Sequence, residues 1–522
     1  MRIWLTVLVL IVSLLTACAS TPEAAPQNNS QPGLWGNGKD NHPSSTRGLA
    51  DDGTEKLTIH LMSPSWAGGG WADNNHPVIE KLNEKLNIEL KIQWVPAESY
   101  IEKIHVLAAS NNLPDVYYLN TNFLRWRERG QFMDIKPYLD NYPDQFPNLR
   151  SNIAQYGYEI MNPKGKYYGL PYYGIETRDS LVIRQDWMDE LGLQMPATVD
   201  EMYEVLKAFV YGDPDRNGIN DTIGFSMSVL ENGGFGYVDY LMGAFGLANG
   251  WKDVDGKLVP VQVQRNELKA FVAFLRKAYD EGVLDKDFPT NKTDDPMYKF
   301  AGGKLGMNYA NPNELYTTLL PALQRLVPDA KLAYLVPPKG PTGLRASKTA
   351  TITNKVVIQG KINVKKQERI LKMLDYLVSD EGTILTRNGL EGIHYRMNAD
   401  RTYRKLEAFD SDRPFLLSSW FFRRFDPATQ ERLWDDPVQS AKTLKMFEEN
   451  AKYAWPNAAI GIETETMNKR FTDLNIRWTA ALVKIIIGLE PMQMLDKAIA
   501  DWRADGGDQI IIEVNEEYQK LQ

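Results

Sequence analysis

One cysteine, Cys18, stands in 522 residues, so no internal disulfide framework exists. The five histidines show no zinc-ligand spacing. There is no His-Glu-x-x-His and no Gly-x-Ser-x-Gly, and the glycines at 68–70 lack the Gly-Lys-Ser/Thr ending that cradles phosphate. Those absences argue against zinc hydrolases, serine hydrolases and P-loop nucleotide binding. No apolar run reaches the about 20 residues that a membrane-spanning helix requires. Basic residues number 59 against 67 acidic ones, a net charge of −8, which argues against nucleic acid and acidic membrane surfaces as partners. No internal repeat is present.

What is present begins at the amino terminus. Arg2 precedes an apolar stretch from Ile3 to Leu15, broken only by Thr6 and Ser13, and then comes Leu15-Thr16-Ala17-Cys18. An apolar core of about 7–15 residues followed by small residues is an export signal, here residues 1–17. The lone thiol behind it resembles the lipobox of bacterial lipoproteins, in which the cysteine is acylated and becomes the new amino terminus. That resemblance implies a lipid anchor at Cys18 on the outer face of the cell membrane, and no other membrane contact. Residues 18–53 are rich in Pro, Gly, Ser, Asn and Asp and too poor in large apolar side chains to fold, so they read as a flexible tether.

The remaining residues exceed one hydrophobic core and suit two domains. Lys56–Ser63 reads as a strand, Pro77–Leu86 as a helix, Ile88–Val95 as a strand, Tyr100–Ala109 as a helix and Pro114–Leu119 as a buried strand. This alternation predicts an α/β fold with a parallel sheet. Tyr167–Tyr173 and Ser180–Arg184 read as extended, and Thr198-Val199-Asp200-Glu201 as a capped helix start. Leu268–Glu281, Lys365–Ser379 and Ala480–Arg503 have helical period.

Several separated stretches together resemble the extracellular solute-binding proteins of carbohydrate importers, a family that includes maltose- and alginate-binding proteins. They are Asn112-Leu113-Pro114-Asp115-Val116, Tyr168-Gly169-Leu170-Pro171-Tyr172, Ile183-Arg184-Gln185-Asp186-Trp187, Gly303-Lys304-Leu305-Gly306-Met307, Val336-Pro337-Pro338-Lys339-Gly340 and Gly506-Gly507-Asp508, in that order. The resemblance implies a two-lobed periplasmic-binding-protein type II fold with a hinged interlobe cleft. Residues 54–176 and 345–398 would form the first lobe, and 177–344 and 399–522 the second. It also implies a monomer that captures an oligosaccharide and delivers it to the permease subunits of an ABC importer, without catalysis.

A sugar presents hydroxyls that must stay hydrogen-bonded and a C–H face that an aromatic ring can cover. Thirteen tryptophans and 25 tyrosines supply such rings in excess. Loops after strands are where ligands of α/β folds sit. On that rule and by likeness, the candidates are Trp66, Trp71, Asn120, Trp126, Tyr172, Tyr173 and Glu176, with Phe235, Tyr237, Tyr309, Asn311 and Trp420 from the second lobe. Core packing is the alternative for each ring, and it is the preferred reading for Trp94, Trp187, Trp478 and Trp502.

Residues 213–222 carry the most explicit chemistry. Asp213, Asp215, Asn217 and Asp221 fall at positions one, three, five and nine of an EF-hand order, Gly218 at six, and the Ile219 carbonyl at seven. Position twelve is Gly224 instead of glutamate. In alginate-binding relatives a similar loop holds structural Ca2+ with an adjacent acidic pair, and here Thr222 replaces the second acid. An Asp/Asn/Gly turn is the alternative. Two other function classes stay open at this point: a polysaccharide hydrolase using two of the many carboxylates, and a peptide-binding or adhesion module.

Overall fold

Continuous apolar runs and amphipathic helices place two main sheets, of five and three strands, among the described residues. The computed structural model describes residues 48–65, 74–119, 126, 129–153, 157–158, 165–171, 177, 179–349, 355–399, 403–413, 415–416 and 437–521. In the first sheet Leu57–Ser65 (β1) pairs in parallel with Ile88–Pro96 (β2), from Leu57 opposite Ile88 to Ser65 opposite Pro96. The connecting helix Pro77–Leu86 (α1) buries Val78, Ile79 and Leu82 and ends where Asn87 turns left-handed. β2 buries Ile88, Leu90 and Ile92 and exposes Glu89, Lys91 and Gln93 between them, as an edge strand with one covered face does. Helix Ala97–Ala109 (α2) leads to Val116–Leu119 (β3), which is buried throughout.

The sheet order is β2-β1-β3-β8-β4, where β4 is Leu170–Pro171 and β8 is Lys355–Ile358. The parallel β-α-β-α-β expectation holds for β1 to β3. β8 returns from far along the chain and lies antiparallel to β3 and β4. The second sheet is antiparallel: Ser180–Arg184 (β5) lies between Met307–Ala310 (β6) and Leu332–Leu335 (β7). Every residue of β5 is buried, as a central strand covered on both faces must be.

Helix Val199–Tyr211 (α3) starts at a complete capping box, with the Thr198 side chain accepting from Glu201 N–H and Glu201 reaching back to the cap. Helix Arg265–Asp280 (α4) and helix Val364–Leu377 (α5) match the sequence period within a few residues. The helix expected over 480–503 is instead two. Glu465–Ile486 (α7) starts at the Thr464 cap, and Met494–Trp502 (α8) follows a break at Gly488, which takes φ +82, and Pro491. Apolar period continues across the break because both helices pack on the same core, so period alone could not show it.

That core joins Trp187, Phe209, Leu275, Trp478, Leu482 and Trp502. Each fully buried large side chain contributes roughly 1.5–3 kcal/mol. A separate core beneath the first sheet holds Met62, Tyr100, Tyr117 and Val357.

Three segments pack differently from the sequence reading. The tether expected to reach residue 53 ends earlier, because Asp51 is 4% exposed and locked to α5. Arg369 donates to both its carboxylate oxygens at 2.7 and 2.8 Å, and its own N–H donates to Glu368. Ser347–Lys348, grouped with the first lobe, pairs with Ala454–Trp455 instead of the first sheet. Residues 403–413, 415 and 416, grouped with the second lobe, include contacts to the first sheet: the Phe415 ring lies 4.4 Å from His76 and edge-on to Trp94.

Candidate functional site

The antiparallel register of the second sheet brings the end of β6 beside the start of β5, with Ala310 opposite Ser180. Asn311, just past β6, and Asp179, just before β5, therefore share one sheet end. Around it Tyr237, Asp239, Asp294, Met297, Tyr309, Ala310 and Glu314 complete the wall of a cavity of about 250 Å³. Tyr237, Tyr309 and Asn311 were expected on sequence grounds, and the structure brings all three together.

Tyr237 follows the short hairpin Ser228–Val229 and Phe235–Gly236, and its backbone is held at φ +70. A left-handed tyrosine is strained by about 1–3 kcal/mol, and here the conformation places the ring at the cavity. Burial, with Asp294, Glu314 and Asp179 nearby, pushes its phenol well above the usual range. The hydroxyl stays protonated and can donate. Tyr309 packs at 5.9 Å from the buried Tyr240 ring. Asp239 is ion-paired with Lys348 at 2.6 Å. The wall thus offers phenol and amide donors, carboxylate acceptors and the Tyr237 ring in one concavity, which is the chemistry a polyhydroxyl ligand needs, whereas the Tyr309 ring, 7% exposed, packs mostly into the second core.

Asp179, Asp239, Asp294, Met297 and Glu314 were missed. Asp179 immediately precedes a strand, so a strand-end rule could have found it, whereas Glu314 lies in the short helix Pro312–Glu314. Asp239 and Asp294 begin or precede helices and carry no periodic signal.

Two expected rings are packing residues. Trp126 is 8% exposed and lies among Tyr117, Phe132 and His105, filling the first-sheet core. Phe235 is 6% exposed and belongs to the large second core. Trp66, Trp71, Asn120, Tyr172, Tyr173, Glu176, Trp420 and Cys18 lie outside the described residues.

The chain matches the family model of bacterial extracellular solute-binding proteins over residues 75–384. It belongs to that family. Lipoprotein LipO of Bacillus subtilis (strain 168) is 27% identical, covering 89% of this chain and 93% of LipO. The polygalacturonan/rhamnogalacturonan-binding protein YtcQ of the same organism is 28% identical, over 85% of this chain and 88% of its own. Among solved structures, an EF-hand mutant of the S. pneumoniae ABC-transporter substrate-binding protein FusA in complex with fructo-nystose superposes with a TM-score of 0.65 at 19% identity. It covers 89% of this chain and 99% of FusA. The fold of this solute-binding protein is therefore the two-lobed type II fold.

In the loop after α3, the Asp213 carboxylate accepts from the N–H groups of Asn217 and Gly218, both at 3.1 Å. The Asn217 amide bridges Asp215 at 2.9 Å and Asp221 at 3.1 Å. Burial, with Asp213 and Asp221 close by, raises the Asp215 carboxyl above its usual range. Crowded carboxylates with that property suit a cation. Thr222 does not join them: its hydroxyl is buried and donates to the Phe209 carbonyl at the end of α3.

A second gathering of metal-type side chains resolves otherwise. His76, His394 and Asp412 bring one ligand atom each within 4.8 Å of one another. The Val78 N–H points at His76 Nδ1 and the Leu390 N–H at His394 Nδ1. A backbone N–H can only donate, so both Nδ1 atoms are acceptors and both Nε2 atoms carry the proton. The two Nε2–H groups donate to one Asp412 oxygen at 2.9 and 3.0 Å. A metal at Nε2 would force Nδ1–H against those backbone donors. This is a hydrogen-bonded clasp joining α1, the turn before Tyr395 and helix Glu407–Arg413 (α6).

Proposed function

We propose that this solute-binding protein captures an oligosaccharide outside the cell and delivers it to the permease of an ABC importer. The observation that carries the reading is the cavity shared by Tyr237, Tyr309, Asn311 and four acidic residues at one end of the second sheet. YtcQ and FusA, whose names give a polysaccharide ligand and an ABC-transporter role, support it. On this proposal the facing lobe contributes Trp66, Trp71, Asn120, Tyr172, Tyr173 and Glu176, Trp420 joins from the second lobe, and the lobes close on the sugar by a hinge. The protein acts as a monomer and has no catalytic role.

Calorimetry against fructo-oligosaccharides and galacturonan fragments tests this directly. Tyr237→Ala is expected to weaken binding of the responding glycan by about tenfold or more, through loss of a stacking face and a donor. Absence of binding to any glycan, or steady release of shorter sugars from one, would overturn the reading, the second in favour of a hydrolase.

Anchoring belongs to the same proposal: Cys18 carries the lipid, and the segment up to residue 50 is the tether. Among the described residues no helix is long and apolar enough to cross a membrane. We also propose that the loop binds structural Ca2+ through Asp213, Asp215, Asn217, the Ile219 carbonyl and Asp221. Calcium there would neutralise the crowded carboxylates and fix the connection from α3 towards β6, away from the sugar.

A further inference from the structure

Position twelve of the loop is closed to any charged ligand. A Cβ on Gly224 would lie 2.8 Å from the Val283 carbonyl oxygen and 3.0 Å from the Val283 side chain, so a glutamate cannot occupy that place without moving backbone. The loop therefore has three carboxylates and no bidentate closing acid. Of the nearby basic groups, Arg216 is turned outward and paired with Glu190, its Nε at 2.5 Å. The other is Lys304. Its backbone is fixed against the loop exit, with Ile223 N–H donating to the Lys304 carbonyl at 2.9 Å and Ile223 bridged to Leu305. Its ammonium donates to Asp221 Oδ2, while the other oxygen of Asp221 accepts from Asn217.

We propose that Lys304 is the built-in counter-ion of this loop, holding Asp221 in place without metal and lowering the affinity for calcium. The inference rests on the calcium reading of residues 213–221. Its physical basis is simple. A divalent ion at positions one, three, five and nine meets an ammonium already on the far oxygen of the position-nine carboxylate. The ion must either share that carboxylate with a like charge or displace it. Three acids, no closing glutamate and one resident cation place the site among weak extracellular calcium modules, with Kd on the order of 10⁻⁴–10⁻³ M. Such a loop is shaped before metal arrives and gains rigidity when calcium is abundant outside the cell. No local pattern points to this partner, because Lys304 lies 83 residues from Asp221.

The test is calcium chloride titration by calorimetry, with melting curves in chelator, on the full chain and on Lys304→Met. The variant is expected to bind calcium roughly three- to tenfold more tightly, as removal of one nearby positive charge does at a half-exposed site. In chelator it should melt below the wild type. Lys304→Gln, which keeps a donor without the charge, should tighten binding equally, and Lys304→Arg should leave it unchanged. Equal affinity in wild type, Lys304→Met and Lys304→Gln overturns the counter-ion role while the calcium reading stands. No calcium uptake by any of the proteins overturns the calcium reading and this inference with it.

Discussion

Acidic side chains are arranged differently around the two sheets. Around the first sheet they are matched to partners supplied by the chain: Asp51 to Arg369 and Lys372, Asp412 to two imidazoles. Around the second sheet some are also paired, as Asp186 is with Arg184 and Asp285 with Lys299, but others gather at the rim of a cavity and along an exposed loop. A carboxylate buried with its cation joins distant segments, whereas carboxylates crowded beside open space favour a ligand that the chain does not carry. The same residue type thus joins distant segments in one place and, on the proposed function, meets ligands in another.

The strongest way to break this contrast is at Asp51. Asp51→Ala strips a buried guanidinium of its partner and should destabilise the protein by about 3–5 kcal/mol in urea unfolding. A loss below about 1 kcal/mol would show that the lock is decorative. Burial by itself would raise the Asp51 carboxyl, but hydrogen bonds from Arg369 and Gly53 N–H and the charge of Lys372 bring it below its usual 3.8. Its contribution is therefore full above about pH 4 and fades as pH falls through the lowered folded value. The gap between wild type and variant should narrow in that acid range and stay constant from pH 6 to 8.

A smaller loss is expected at the clasp. Asp412→Ala leaves two Nε2–H donors without their acceptor and should cost about 1–3 kcal/mol. Because burial opposes, and bonds from His394 and His76 overcome, the Asp412 carboxyl also sits below 3.8, so this loss too disappears only in acid. Equimolar zinc should not raise the melting temperature of the wild type. A clear rise would mean that the imidazoles had exchanged tautomers to bind metal, and would erase the contrast with the calcium loop.

The smallest effect lies at Asp215. Its folded carboxyl is raised, so the charged form is disfavoured and the metal-free loop loses stability as pH rises through that folded value. Asp215→Asn should melt slightly higher than wild type in chelator and lose the stabilisation that calcium brings. A variant that responds to calcium like the wild type would place the ion elsewhere.

Much of this was legible in residues alone. Local period gave β1, α1, β2, α2 and β3, and the Thr198–Glu201 capping box appeared where its spacing put it, because such features need only neighbours a few residues apart. The family resemblance was legible for a related reason: short stretches in a fixed order survive divergence. Tyr237, Tyr309 and Asn311 were reachable because the wall of this cavity is built at the ends of strands. Trp126 and Phe235 were misplaced because an aromatic ring after a strand serves a core as readily as a ligand.

The sequence by itself determined the apolar amino-terminal stretch, the lone cysteine and the Asp-rich loop, since each is written in contiguous residues, and the α/β class through local period and separated stretches in a fixed order. Only the tertiary structure decided which acids hold and which bind. Arg369 lies 318 residues from Asp51 and Lys304 lies 83 from Asp221. The tautomers that turn His76 and His394 into a clasp are set by backbone N–H groups whose direction no side-chain pattern encodes. Charge pairing depends on distance in space and on burial, and both are products of the packed chain.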